Sequence, residues 1–229
     1  MDFYKEWEDC VKNNQNDNYY INSFLFCSLY SIESLENSSK QNIKRIINFL
    51  ISYDKRKVIE EIKFNYIKNI KPCDVPQFSN FEKATFEITQ ILKYENSGLT
   101  FEELGYLLMD SKNKLSRTKY GENQAKTARI FNLVVFSQRR PTEVRNSSLG
   151  DEFPFLNQAD KEKLLSILCL RNPVIMYFIA KSKVSKVNYD EVVSCLSEST
   201  RIRRKANVKY LLDLALNDVK KDFINNIFM

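Results

Sequence analysis

The chain has no histidine. Without an imidazole, Ser-His and Cys-His nucleophile pairs, histidine general bases and zinc sites with a histidine ligand are excluded. Glycine is nearly as scarce. Gly98, Gly105, Gly121 and Gly150 are the only four, and they are too scattered for a phosphate-cradling loop or a dinucleotide fingerprint, both of which need clustered glycines. The five cysteines, Cys10, Cys27, Cys73, Cys169 and Cys195, are odd in number, far apart and without a C-x-x-C. That suits neither a disulfide framework nor a zinc ribbon and points to a reducing, cytoplasmic compartment. Cys27, Cys169 and Cys195 lie in apolar helical contexts and are expected in the core. No run approaches the roughly 18 apolar residues of a spanning helix, and the polar stretch from Met1 to Asn18 does not read as a signal peptide. No membrane association and no cofactor are expected. The longest uncharged stretch, Asn18 to Ile32, is interrupted by Asn22, Ser23, Ser28 and Ser31 and reads as a core helix.

What is present is an apolar content of 43% in 229 residues, enough for one large domain or two small ones. The net charge of +6 is unevenly spread. Residues 111–145 carry nine basic side chains against Glu122 and Glu143, a net +7, and residues 200–209 carry five basic side chains and no acid. The remainder of the chain is therefore at −6. Clustered positive charge on an otherwise acidic chain is the electrostatic footprint that nucleic-acid phosphates attract. Two solvated helix faces are the plainer alternative.

The pattern predicts a mainly α fold in which an N-terminal helical region (1–76) is followed by two winged-helix modules (77–153 and 154–229). In the first region, Phe3 to Val11 and Tyr19 to Leu35 read as helices. They are followed by one with Ile43, Ile46, Ile47 and Leu50 inside and one with Val58, Ile59, Ile62, Tyr66 and Ile70 on a single face. Pro72 and Pro76 break helical character. In the second region, Phe81 to Tyr94 is a helix, and Thr100 and Glu103 form a capping box that opens a second helix with Leu104, Leu107 and Leu108 facing inward. A basic linker, Lys112 to Tyr120, is expected to lead through Gly121 to a third helix, Glu122 to Asn132. A basic-tipped hairpin follows, with Leu133 to Phe136 and Thr142 to Arg145 as its strands. A weaker copy of this order runs from Gln158 onward, with a break expected at Asn172-Pro173. It ends in a long basic helix, Arg201 to Asn217, with Ile202, Ala206, Leu212 and Ala215 inside and Arg201, Arg204, Lys205 and Lys209 on another side.

Two segments, Gln124-Ala125-Lys126-Thr127-Ala128-Arg129-Ile130-Phe131-Asn132-Leu133 with Asn146-Ser147-Ser148-Leu149-Gly150, and Ser199-Thr200-Arg201-Ile202-Arg203-Arg204-Lys205-Ala206-Asn207-Val208-Lys209-Tyr210-Leu211, carry a resemblance. Over residues 80–217 the chain resembles a bacterial family of tandem winged-helix DNA-binding proteins associated with restriction and defence systems. Its landmarks are "Q-x-x-x-A-x-x-L-G-L" before a wing closing on "L-T-x-x-G", and "S-T-x-x-R-R-x-x-T-V-x-x-W-L". Asn132 stands where the family has glycine, Asn207 where it has threonine and Tyr210 where it has tryptophan. The resemblance implies a DNA-binding role in restriction or anti-phage defence. It does not reach the N-terminal third and supplies no catalytic residue.

A nuclease would need an acid and a Glu-x-Lys on adjacent strands to hold magnesium. Asp54 and Glu61-Ile62-Lys63 offer those residue types, yet the spacing of Ile59, Ile62 and Tyr66 puts them on a helix. No enzyme is expected. For duplex DNA, polar side chains near the start of a recognition helix reach base edges, a role that Asn123, Gln124, Lys126 and Thr127 fill, with Arg129 on the same helix. Gln124 has an alternative as a buried amide. Arg139 and Arg140 at the wing tip follow a backbone or enter a minor groove, and Arg117, Lys119 and Arg145 contact phosphates. The second module adds Arg201, Arg203, Arg204, Lys205 and Lys209. The competing reading is a winged-helix adaptor that docks a protein partner, such as the kleisin of an SMC-type defence complex or another defence-system subunit, through N-terminal helices exposing Tyr19, Phe24 and Tyr30. A homodimer would suit symmetric operator DNA.

Overall fold

The computed structural model describes residues 40–63, 69–95, 98–138, 140–219 and 227–228. The expected helices before residue 40, Tyr66 and Arg139 lie outside these residues. The chain divides into two compact units. One is built on Pro76–Lys161 with the stretch ending at Asn48, the other on Phe49–Val75 and Glu162–Met229. The described residues are mainly helical, with one three-stranded antiparallel sheet and one short parallel pair.

Helix α1 (Lys40–Ser52) buries Ile43, Ile46, Ile47 and Leu50, as their spacing predicts. Helix α2 (Lys55–Glu61) starts at Asp54, whose carboxylate accepts from the Arg56 amide at 3.0 Å, and it buries Val58 and Ile59. It is shorter than its apolar pattern suggests. Ile62 is buried just past its end, and Ile70 is not helical.

In the Pro76–Lys161 unit, a π-helical stretch (Lys83–Glu87) runs into α3 (Ile88–Tyr94). Strand β1 (Leu99–Thr100), α4 (Phe101–Leu108), α5 (Lys114–Ile130), β2 (Val134–Phe136) and β3 (Glu143–Asn146) follow. The sheet order is β1-β3-β2, with Leu99 opposite Val144, Val134 opposite Asn146 and Phe136 opposite Val144. The expected hairpin is therefore the greater part of a sheet whose third strand, only two residues long, lay hidden in the Leu99-Thr100 step. The capping box at α4 forms: the Glu103 amide donates to Thr100 Oγ1 at 3.3 Å and the Thr100 amide to Glu103 Oε2 at 2.8 Å. The Thr100 backbone and hydroxyl bonds hold the Glu103 carboxyl below its ordinary range, outweighing its slight burial. Leu104 and Leu108 are buried, but Leu107 is 48% exposed and does not belong to the core.

The expected basic linker is helical instead. Helix α5 starts at Asn113, whose side chain accepts from the Ser116 amide at 3.0 Å, and runs unbroken through Gly121. Gly121 is there for contact. A Cβ on it would lie 2.0 Å from the Phe101 carbonyl oxygen, and one on Gly105 would lie 2.0 Å from that of Arg117. The backbones of α4 and α5 touch at these two residues, a proximity only glycine permits. At its other end α5 closes with paired bonds, Leu133 N–H to Ala128 C=O at 3.1 Å and Asn132 N–H to Arg129 C=O at 3.0 Å. Asn132 between them has φ 55°, the left-handed region that favours glycine and that asparagine tolerates. Ser147, which caps the short helix α6 (Ser148–Glu152), donates to the Asn132 carbonyl at 2.5 Å and ties the end of the central strand β3 to this turn.

In the other unit, α7 (Gln158–Cys169) buries Leu164, Leu165 and Leu168, and Asn172 caps α8 (Pro173–Ser182) at the expected break. Strand β4 (Val187–Asn188), α9 (Tyr189–Val192) and α10 (Glu198–Leu216) follow, and β5 (Ile227–Phe228) pairs in parallel with β4. The inner side of α10 is made by Val208, Leu211, Leu212, Ala215 and Leu216, while Ile202 is 69% exposed and Ala206 is also exposed. The expected stripe is therefore rotated, with Ile202 and Ala206 on the outside. Tyr189 is buried, and its hydroxyl donates to the Arg201 carbonyl at 2.7 Å. Burial, assisted by the Asp190 charge, pushes the phenol up to about 12. In the unfolded chain it ionises near 10, so the stability it contributes is full below pH 10 and is lost as pH rises towards about 12. Urea titrations of wild type and Tyr189→Phe across that window should show the wild type losing stability faster; parallel curves would contradict this.

Candidate nucleic-acid interface

Helix α5 has two sides of different character. Inward it carries Gly121, Gln124, Ala125, Thr127 and Ala128, all buried. Small side chains are needed there because α4 lies so close. Gln124 donates from Nε2 to the Ser79 hydroxyl at 3.0 Å, and Thr127 Oγ1 donates to the Gln77 carbonyl at 3.0 Å. These two residues, expected to read base edges, instead hold the 77–79 segment against the helix.

Outward, at helical spacing, stand Leu115, Lys119, Glu122, Lys126 and Arg129. Leu115 is 71% exposed. Lys119 and Lys126 reach Glu122 from its two ends, at 3.1 and 2.6 Å. Burial alone would raise the Glu122 carboxyl, but hydrogen bonds from Lys126 and Lys119 outweigh it, so the group lies below its ordinary range and is ionised at neutral pH. Asn123 is half-buried beside this row. Arg129 is exposed and lies over the Phe136 ring at 4.8 Å.

Arg117 is a correction. Its side chain is only 19% exposed, bonded to Glu102 at 3.4 Å and stacked 5.3 Å from the Tyr106 ring, so it joins α5 to α4 and does not face a ligand. Lys114, absent from the expected set, is exposed and paired with the same Glu102 at 2.9 Å. Arg140 is exposed in the β2–β3 turn, and Arg145 is exposed on β3 with Glu143 at 2.8 Å. Leu115 is not legible as an outward residue because the segment before Gly121 reads as a linker, and Glu122 is passed over because phosphate contacts select basic side chains.

On α10, Arg204 donates to the carbonyls of Pro72 and Val75 at 2.8 and 2.9 Å. Burial, with the Arg203 charge beside it, holds its guanidinium below the ordinary value. Arg201 is half-buried with Asp190 at 3.4 Å. Both are packing residues, which corrects their placement on a phosphate-facing side. Arg203, Lys205 and Lys209 are exposed, Arg203 bonding Thr200 at 3.3 Å and Lys205 lying 5.8 Å over Tyr189. Between them stand Ile202, Ala206 and Tyr210, the last 46% exposed.

Asp54 is the cap of α2, and Glu61 and Lys63 pair with each other at 3.4 Å at its other end. Among the described residues no three acidic or sulfur side chains gather as metal ligands. Cys169 is buried and its thiol pushed up by burial, whereas Cys195, expected in the core, is exposed in the turn after α9. No single helix among the described residues is long and apolar enough to cross a membrane. Comparison with protein-family models, curated proteins and solved structures gives no match.

Proposed function

We propose that the chain is a non-enzymatic duplex-DNA-binding protein built on two winged-helix modules, acting in a bacterial restriction or anti-phage defence system. The observation that carries the reading is the element order of the Pro76–Lys161 unit. Helix, strand, helix, helix, strand and strand close a sheet of order β1-β3-β2, and α5 is the third helix with its lysines turned to solvent. That is the layout in which a third helix enters a major groove while the following hairpin, here bearing Arg140, lies along the backbone. In the other unit, α8, β4, α9 and α10 repeat the first four elements in order. Val187-Asn188-Tyr189-Asp190-Glu191 there matches Leu99-Thr100-Phe101-Glu102-Glu103 residue type for residue type at the strand-to-helix step. The defence setting rests on the family resemblance alone.

The test is binding of the full chain to random-sequence duplex DNA at increasing salt. Affinity should fall with a log-log slope of about −0.9 per phosphate contact, and the Arg139→Ala/Arg140→Ala variant should have a shallower slope. Absent or salt-independent binding refutes the reading. An adaptor role is favoured by one observation, the Ile202, Ala206 and Tyr210 row on the outer side of α10, since apolar side chains amid a basic face suit a protein better than phosphates. Size-exclusion chromatography with the products of neighbouring genes separates that role from DNA binding.

A further inference from the structure

Glu122 occupies the middle of the outward row of α5, between Lys119 and Lys126. On a surface that only holds phosphates, a carboxylate there works against binding, because it neutralises two lysines and repels the backbone. Base edges are different. In the major groove the cytosine N4 amino group is a donor that a carboxylate accepts from; adenine's N6 donor stands beside the N7 acceptor, which repels a carboxylate, while guanine offers two acceptors and thymine an acceptor and a methyl group.

We infer that Glu122 is the sequence-discriminating residue of the proposed duplex-DNA interface, accepting from the N4 amino group of a cytosine and weakening binding to duplexes that place an acceptor at that position. The inference rests on the duplex-DNA reading above. On a matched site the carboxylate exchanges water for the amino group while its lysines stay in place. On a mismatched site it loses water and faces acceptors that repel it, a desolvation cost that nothing on the base edge offsets. Leu115, two helical turns earlier on the same row, adds an apolar surface of the kind that meets a thymine methyl group. The side chains that hold Glu122 in position come from α5 itself, so its orientation exists before DNA arrives. A-form RNA, whose major groove is too deep and narrow for such contacts, would not be read in this way.

The experiment selects binding sites for the full-length wild type, Glu122→Gln and Glu122→Ala from a pool of random-sequence duplex DNA. It then measures each protein on the selected duplex and on unselected DNA, with thermal unfolding as a check on folding. The wild type should enrich cytosine at one fixed position. Glu122→Ala should lose that preference by roughly tenfold or more, and Glu122→Gln should turn it towards adenine, whose edge an amide matches. Both variants should bind unselected duplex more tightly than wild type, with a salt slope steeper by about one to two phosphate contacts as Lys119 and Lys126 are released. An unchanged site preference, or weaker binding of folded variants to unselected DNA, overturns the role of Glu122 while duplex binding stands. No binding by the wild type overturns both.

Discussion

Gly121→Ala is expected to destabilise the Pro76–Lys161 unit by about 3 kcal/mol, the upper end of what overpacking costs. The new methyl would sit 2.0 Å from the Phe101 carbonyl oxygen and 2.7 Å from the Gly105 amide nitrogen, both backbone atoms of α4. No side-chain rotation relieves that contact. Either α4 and α5 separate, leaving Leu104, Ala125 and Ala128 poorly packed, or the helices bend. Gly98→Ala is the informative control. Its methyl would meet the Arg145 side chain at 2.8 Å, from which an exposed arginine can swing away, and the Glu143 Cβ at 3.0 Å, which needs only a small shift. Urea unfolding followed by circular dichroism should show a large loss for Gly121→Ala and a loss below about 1 kcal/mol for Gly98→Ala. Equal midpoints for the two variants would mean that the helices do not cross at these glycines.

Arg204→Met is expected to cost about 2 kcal/mol, in the range measured for hydrogen bonds from a charged donor. The guanidinium holds two carbonyls, those of Pro72 and Val75, that bracket the 3-10 turn Pro72–Asp74. Methionine keeps the apolar stem but leaves both oxygens to find water. Lys209→Met, on the exposed side of the same helix, should leave stability within about 0.5 kcal/mol of wild type. The pair also separates packing from binding. If α10 contacts duplex DNA, Lys209→Met changes the salt slope and Arg204→Met does not. A destabilised Lys209→Met together with an unaffected Arg204→Met would reverse the assignment of the two sides of α10.

Local chemistry with short reach was legible in the sequence: the Thr100–Glu103 capping box, the Asn172-Pro173 break and the isoleucines of α1 all stand as their spacing predicts. The errors share a physical cause. Helix α5 packs with glycine, alanine, threonine and a glutamine instead of large apolar residues, so no apolar period marks it and its first two turns read as linker. On α10 the first inward turns are held by Arg201 and Arg204 through polar contacts, which rotates the stripe that a purely apolar count would choose. The candidate interface suffered likewise. Charge density marks residues 111–145 as the candidate, but charge alone does not tell Lys119, facing out, from Arg117, tied to Glu102. Nor does it reveal that an acid stands in the middle of the row.

Gln124 and Thr127 hold α5 from behind, while Leu115, Lys119, Lys126 and Arg129 are exposed on the other side, with the half-buried Glu122 tied to Lys119 and Lys126. The helix thus divides into residues that answer to the fold and residues that do not. Substitutions at the exposed Leu115, Lys119 and Lys126 carry little folding cost, so most of the row can be rewritten without disturbing the rest of the unit. If α5 is the reading element, new target sequences are accessible through changes at these positions, and the scaffold behind them serves as a fixed mount for interchangeable heads.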